Sequence, residues 1–501
     1  MLGTEITAET IRKAALLATK DALFNPEVRK TITTATGLTG IILETPAKQQ
    51  VPFLSPFRQR IPRKTQPGST AVQWKAITDV SMPKFSVAET AAANQNLYTV
   101  VPKSATYKEV GVGDGVTRKA IAEGTPFEDV KARGVNNVLL NAQRMEEIAI
   151  LGGNITALAA PAAPAVVVVD AGGTVPAAAG GYDVRIRAIT LFASNRVTPD
   201  RPAAFGSAAA PINVDSPLAG NGRAGVNPDT ATDGWSAQGA LTTSAAAAGG
   251  NDALRISWTA VPGAVAYGVY VIAAGGGPKL EAIVTQTTVT LTSLAGTGAA
   301  IVAGDTSADA LIFDGMIPKI LSDSSSYKKN LNGILTVTSG TKPSITELQD
   351  AFQNIWDRAK IGEFDILVGG TEQRTLVDRS LVGGGGPTIF VDAGDVANRV
   401  DLLQGYHVGF VVNSITGERC PVQTLPWLPG GMILILPRRI PFPTAEFEYP
   451  FEIAATYGWE QIDYAVAKAD GPVQNFEVRE DAVLKDYFPA GCGIIYNVVW
   501  G

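Results

Sequence analysis

The hydrophobic positions along this chain change period several times, and each change predicts an element. Residues 5–24 carry Ile6, Ala14, Leu17 and Ala18 at helical spacing with Pro26 just beyond, which predicts an amphipathic helix. Residues 31–57 show no period. Fixing about 30 such residues costs on the order of 30–60 kcal/mol of backbone entropy, so this segment either stays loose or is ordered by lying across other subunits. Val72, Trp74, Ile77, Phe85, Tyr98, Val100 and Val101 then mark a β-rich stretch broken by Pro67, Pro83 and Pro102. It predicts two long strands joined by the polar tip AAANQN, an extended hairpin with little core of its own. Over residues 126–151, Val135, Val138, Leu139, Ala142, Met145 and Ala149 return to helical spacing. Pro126, Glu128 and Asp129 suit the start of that helix, and Gly152-Gly153-Asn154 stops it.

From there the pattern becomes short and alternating. YDVRIRAIT (Tyr182 to Thr190), LRISWTAV (Leu254 to Val261), AYGVYVIA (Ala266 to Ala273) and TTVTLTSL (Thr287 to Leu294) read as strands between Gly/Pro turns, which argues for a β-sandwich. The composition shifts with the pattern. Residues 151–300 hold 36 Ala and 21 Gly but only 15 charged side chains, and no lysine lies between Lys131 and Lys279. So sharp a change marks an inserted domain.

Beyond it the charged composition returns, with LIFDGMIPKI (Leu311 to Ile320) leading into a strand, NGILTVTSG. Ser344 and Glu347 have the spacing of a capping box that opens a helix, with Ile345, Leu348, Phe352, Ile355, Trp356 and Ala359 on one face and Gly362 as its stop. FDILVGG (Phe364 to Gly370) reads as a buried strand, residues 371–380 as another helix, and the remainder as strand-rich. The fold class is α+β, interrupted by a β-sandwich.

Composition narrows the chemistry. One His and two Cys (Cys420, Cys492) among 501 residues leave little room for zinc sites, thiol relays or a Ser-His-Asp triad, and two cysteines far apart suit buried, reduced thiols. GVGDGV (Gly111, Gly113, Gly115) lacks the spacing of a dinucleotide loop. Gly383 to Gly386 has no following G-K-[ST] and reads as a loop tip, and His407 has no partner at motif spacing. No acid pair is framed for catalysis, no cofactor or metal is expected, and no apolar run is long enough for a membrane helix. The N-terminus lacks the layout of a signal peptide.

The net charge of −6 hides a polarity. Residues 1–150 hold 19 Lys and Arg against 14 Asp and Glu, while residues 301–501 hold 15 against 25. Attraction within one subunit, attraction between neighbours and plain surface solvation all fit that split. The basic string RQRIPRK (Arg58, Arg60, Arg63, Lys64) could meet phosphate, an acidic neighbouring subunit or solvent, and contact with a neighbour is the preferred expectation. Glu446 and Glu448 are the acidic inter-subunit contact candidates.

Two resemblances follow from these strings. RISWTAVPGAVAYGVYVI (Arg255 to Ile272), with Trp258 before the V-P-G-A turn and Tyr267 and Tyr270 after it, resembles the central strands of a fibronectin type III module. YDVRIRAIT resembles a late strand of that module yet precedes the Trp strand, so the insert is either permuted or made of two partial units. With residues 155–309 set aside, the order of elements resembles the major capsid proteins of tailed bacteriophages, the Hong Kong 97-type fold that encapsulins share. The strings that carry it are the helix from Pro126 to Leu151, FDGMIPKI, FDILVGG and YGWEQIDYAVAKADGPVQNFEVREDAVLKDYF.

That resemblance implies an N-terminal arm over 1–50, an E-loop over 51–110 reaching over a neighbour, and a peripheral domain from 111–154, 310–340 and 445–501. It also implies an axial domain over 341–444, with the fibronectin- or immunoglobulin-like insert on the outer surface. It implies no enzyme but a subunit that assembles with itself into pentamers and hexamers of an icosahedral head, in the host cytoplasm, around double-stranded DNA touched non-specifically. A scaffolding or decoration protein and the portal would be partners, and the insert could meet a glycan or the host surface. Lys84 and Lys103 are available in the hairpin, but no string marks a cross-link acceptor, and none is expected. A tail, baseplate or adhesion protein is the alternative, and a glycan-active enzyme with an accessory sandwich is a weaker third.

Overall fold

The computed structural model describes residues 56–79, 85–87, 89, 92, 99–124, 129–170, 172–191, 234–249, 252–273, 275–294, 296, 300–301, 304–337, 345–382, 408–440, 449–464 and 473–498, all within one compact unit, Phe53–Gly501. The expected helix over 5–24, most of the hairpin tip, Lys84, the Gly383 to Gly386 run, His407, Glu446 and Glu448 lie outside the described residues.

The first sheet runs in the order β1 (Arg63–Thr65), β17 (Phe451–Asp463), β18 (Val473–Asp486) and β4 (Lys108–Thr117). The three glycines of GVGDGV sit in β4, at alternate positions that share one face. A Cβ on Gly111 would stand 2.8 Å from the Val478 carbonyl oxygen and 2.9 Å from the Arg479 side chain. Glycine there lets β4 lie close against β18, so the string is strand packing and not a phosphate loop. Across this sheet runs helix α2 (Val130–Gly152), preceded by the short α1 (Arg118–Gly124). Asp129 caps α2 by accepting from the Ala132 N–H at 3.0 Å, so the cap, and not Pro126, sets the start.

The second sheet has six strands in the order β12 (Tyr327–Gly333), β19 (Gly493–Val498), β16 (Met432–Pro437), β13 (Phe364–Val368), β15 (Arg419–Thr424) and β14 (Phe410–Val412). Every residue of β13 and β16 is buried, which is why both read as continuous apolar runs. Two strands of this sheet, β12 and β19, come from the segments 310–340 and 445–501, and the other four from 341–444. Helices α3 (Met316–Ser322), α4 (Thr346–Ala359) and α5 (Gly370–Val382) accompany it. In α4, Leu348, Ala351, Phe352, Ile355 and Ala359 are buried, and Phe352 stacks on Phe364 with centroids 5.2 Å apart.

The ends of α4 differ from expectation. Ser344 of the expected capping box lies outside the described residues; Ile345 is the N-cap, and Glu347 accepts from the Thr336 N–H at 2.9 and 3.0 Å. The helix stops at Lys360, which takes the left-handed conformation at φ 56°, two residues before Gly362. Gly362 is glycine for another reason, since a Cβ there would collide with Thr416.

The insert folds as one sandwich. β11 (Thr288–Leu291), β8 (Asp252–Ser257) and β5 (Ala165–Asp170) form one sheet, and β10 (Lys279–Val284), β9 (Ala266–Ala273), β6 (Tyr182–Ile189) and β7 (Thr242–Thr243) form the other. Val184, Ile186 and Val269 from one sheet share a core with Leu254, Ile256 and Val289 from the other. The early strand β6 pairs along its length with β9, so the strands before and after Trp258 belong to one sandwich. The Tyr182 hydroxyl donates to the Pro176 carbonyl at 2.6 Å, the corner expected of such a strand. Trp258 packs edge-on to Tyr267 at 5.5 Å, and the Tyr267 hydroxyl accepts from the Val261 N–H at 2.9 Å, pinning the V-P-G-A turn. The outer face of β9 is also covered, by Trp235 with Ile189, Leu280 and Ile283, so this strand is apolar on both faces.

Candidate assembly interface

The extended hairpin forms as a two-stranded sheet among the described residues, β2 (Ala71–Ile77) paired with β3 (Val100–Thr106). Such a ribbon is marginal in water unless something covers it. One face of it is covered by the chain itself: Val72, Trp74 and Ala76 are buried, and Trp74 donates from Nε1 to the Asp486 carbonyl at 2.8 Å. Lys319 lies 5.3 Å from the centre of the Trp74 ring. Lys103 bonds Asp323 at 2.8 Å and also Asp486. Burial alone would lower the Lys103 pKa, but the two carboxylates outweigh it and hold it above the ordinary value. On β3, Val100 and Val101 are exposed even though Ala76, the partner of Val101, is buried, and Phe85 and Val87, between the two strands in sequence, are exposed as well.

At the root of the hairpin the basic string meets α2. The Glu147 carboxylate accepts from the backbone N–H groups of Phe57 and Arg58, each at 3.1 Å. Its neighbour Glu146 takes the Arg58 and Arg63 guanidinium groups and the Trp459 Nε1 at 2.9 Å, and Arg63 also reaches Glu480 at 2.5 Å. Three buried carboxylates thus face two guanidinium groups. Burial pushes Glu147 up to about 7, against two backbone N–H groups and Arg58 that pull the other way. Burial also raises Glu480 and lowers Arg58 and Arg63. Arg60 points elsewhere, to Asp365 at 3.2 Å, which Arg438 approaches at 3.4 Å, and to Gln423.

The contact candidates therefore divide. Arg58 and Arg63, expected to face a neighbour, spend their charge on Glu146 and Glu480 of their own chain, because desolvated carboxylates on α2 and β18 need them. Arg60 keeps 37% of its side chain exposed beside Asp365, and Lys64 is exposed on β1. Part of the opposed charge of the two ends of the sequence is paired within one subunit, as Arg63 with Glu480, Arg60 with Asp365 and Lys103 with Asp486. Sequence reasoning missed Glu146 and Glu147. The signal was two adjacent acids inside a run, Glu146–Gly152, in which every residue is buried. Cys420 and Cys492 are free and buried, with burial raising both thiols, as expected of inert cysteines. Among the described residues no cluster of His, Cys, Asp and Glu could hold a metal, and no helix is long and apolar enough to cross a membrane.

Comparison with known proteins gives remote likenesses only. No family model matches the chain, and no curated protein matches it. Among solved structures, a chain of the satellite phage P4 procapsid matches at 8% identity and TM-score 0.37, over 95% of this chain and 99% of that one. The capsid of a native GTA particle matches at 9% identity and TM-score 0.41, over 94% and 99%. The encapsulin complex from Synechococcus elongatus matches at 8% identity and TM-score 0.37, over 93% and 95%.

Proposed function

We propose that this chain is a phage major capsid protein of the Hong Kong 97 type, a structural subunit and not an enzyme, which assembles into a closed icosahedral head around double-stranded DNA. The observation that carries this reading is the hairpin β2–β3. One face of it is tied to the body by buried side chains and ion pairs, while Val100, Val101 and, between the strands in sequence, Phe85 and Val87 are apolar and exposed. Such a ribbon gains further stability by lying on another copy, and repeated weak contacts closing into a shell supply that gain. In this reading residues 1–50 are an arm, 51–110 the E-loop, and 155–309 a sandwich displayed outside, open to a host surface or glycan. Pentamers and hexamers of the chain form the shell, with a scaffolding or decoration protein and the portal as further partners, and assembly takes place in the host cytoplasm.

The test is electron microscopy and size-exclusion chromatography of the purified protein. Closed megadalton particles are expected. A stable monomer at high concentration, with the hairpin folded, would overturn the reading, and rings or tubes would favour a tail or baseplate component.

A further inference from the structure

Of the four strands that end the two sheets of the sandwich, three have blunted edges. β7 has only two residues. β10 carries Lys279 and Glu281, shifts register between Leu280 and Ala282, and has Ala300 bridged to Lys279. β11 has four residues and starts beside the body, where Thr287 bonds Asn332 at 2.7 Å. Short strands, charges, bulges and covering segments are the devices that keep a sheet edge from pairing with another chain.

β5 has none of them. AVVVVD (Ala165–Asp170) pairs with β8 residue for residue, with no bulge, no proline, no lysine and no charge before Asp170. Among the described residues no strand pairs with its outer side. Val166 and Val168 pack against the core yet are only half-buried, and Val167 between them is 55% exposed. Leu241, at the head of β7 on the same rim, is 44% exposed. Among the described residues of the insert these two are the large apolar side chains left in solvent, and both sit at this edge.

The strand is also complementary to itself. Residues directly opposite in an antiparallel pair lie on one face of the sheet. A two-fold axis through Val167 therefore sets Val167 against its own copy, Val166 against Val168 and Ala165 against Val169. Asp170 then lies opposite Pro164, so no like charges meet. The edge holds a fixed place on the subunit, because Leu191 and Val265 of the insert belong to the body's core and Thr285 packs against Gly431.

We propose that β5 of one copy pairs antiparallel with β5 of a second copy across a two-fold axis, joining two sandwiches through one continuous sheet. This rests on the shell reading above and adds a contact that reinforces a shell the body builds. Such a contact is isologous, so it links copies in twos and not in chains. Assembly holds many copies of the strand at high effective concentration, where a contact too weak to hold two free subunits becomes occupied.

The experiment uses the full chain carrying Val167→Cys, the two native cysteines being buried. Opposed residues of an antiparallel pair have Cα atoms about 4.5–5.5 Å apart, within disulfide reach. Mild oxidation of assembled particles is expected to give a covalent dimer and nothing larger on a denaturing gel. The thiol should react with maleimide in unassembled subunits and resist it in particles. Val167→Lys opposes two ammonium groups and is expected to raise the subunit concentration needed for half-assembly about threefold, with the unfolding midpoint of the unassembled subunit unchanged. Three results overturn the pairing while leaving the shell reading intact. A thiol that stays reactive in particles, with no covalent dimer, is the first. A thiol already protected in unassembled subunits is the second, because the chain itself would then cover the edge. Val167→Lys particles that form at the parental concentration are the third. If the unmodified chain forms no particles, the shell reading itself fails, and this contact with it.

Discussion

The backbone N–H of Asp309 donates to the carbonyl of Asn154 at 3.0 Å, so the chain leaves for the insert and returns from it at one point. Asn154 Nδ2 also donates to the Ser307 carbonyl at 3.4 Å, and Gly315 N–H to the Gly153 carbonyl at 2.8 Å. Deleting residues 155–308 behind a short linker is expected to leave a folded body that still assembles. Some loss is built in: Leu191 belongs to the body's core, and Thr287 bonds Asn332 at 2.7 Å. A fall of a few degrees in the melting midpoint fits, whereas soluble subunits that form no particles would show that the sandwich builds the shell.

Glu147 gives a pH dependence whose sign is fixed by its environment. Its carboxyl is held at about 7 in the folded chain against an ordinary 4.5, so the folded state keeps the proton that the unfolded state releases. Stability contributed this way is present below about 4.5 and is lost as pH rises through about 7, amounting to at most about 3 kcal/mol. Glu147→Gln keeps an acceptor for the Phe57 and Arg58 N–H groups without the charge. It is expected to unfold at higher urea than the parent at pH 8 and at nearly the same urea at pH 4.5. Parallel pH profiles for the two proteins would sink the idea.

Arg63 holds Glu146 and Glu480 together. Replacing it by Met leaves two desolvated carboxylates facing Arg58 alone, a change expected to cost about 3–5 kcal/mol. Arg63→Met with Glu480→Gln should recover part of that loss, because the pair is coupled. A double-mutant cycle in urea with no coupling term would show that the close approach carries no energy.

In the insert, Tyr182→Phe removes only the hydroxyl that reaches Pro176. About 1 kcal/mol of local stability should disappear, read as faster hydrogen exchange in β6 and β9 with no change in β13 or β16. Equal acceleration in all four strands would mean that the sandwich and the body unfold as one unit.

Gly111→Ala tests the close approach of β4 to β18. The new methyl meets a backbone oxygen at 2.8 Å, so strand or sheet must shift, at about 1–3 kcal/mol. An unchanged unfolding midpoint would show that the strands are free to part.

The elements with strong period were legible in the sequence. The apolar stripe from Val138 to Ala149 gave a helix, the continuous run at Met432 gave a doubly buried strand, and the alternation around Trp258 gave the sandwich. What the sequence hid were relations between distant residues. Glu146 and Glu147 read as ordinary helix polar positions until Arg58 and Arg63 are brought to them, about ninety residues away along the chain. Glu347 read as part of a capping box by spacing, but its carboxylate takes the backbone N–H of Thr336, eleven positions back in the chain beyond the end of β12. The pairing of segments was hidden for a similar reason, since the parallel contact of β12 with β19 joins residues more than 160 positions apart, as Tyr327 with Gly493. Of the interface, the ribbon was visible as a pattern.

The place of β19 bears on how a subunit comes to exist at all. This strand lies between β12 and β16, inside the six-stranded sheet and not at its rim. Until residues 493–498 have left the ribosome, β12 has no neighbour on that side and β16 keeps an open edge. A chain lacking them has two unpaired strand edges in the middle of this sheet, so the body can close only once β19 has been made and threaded between β12 and β16.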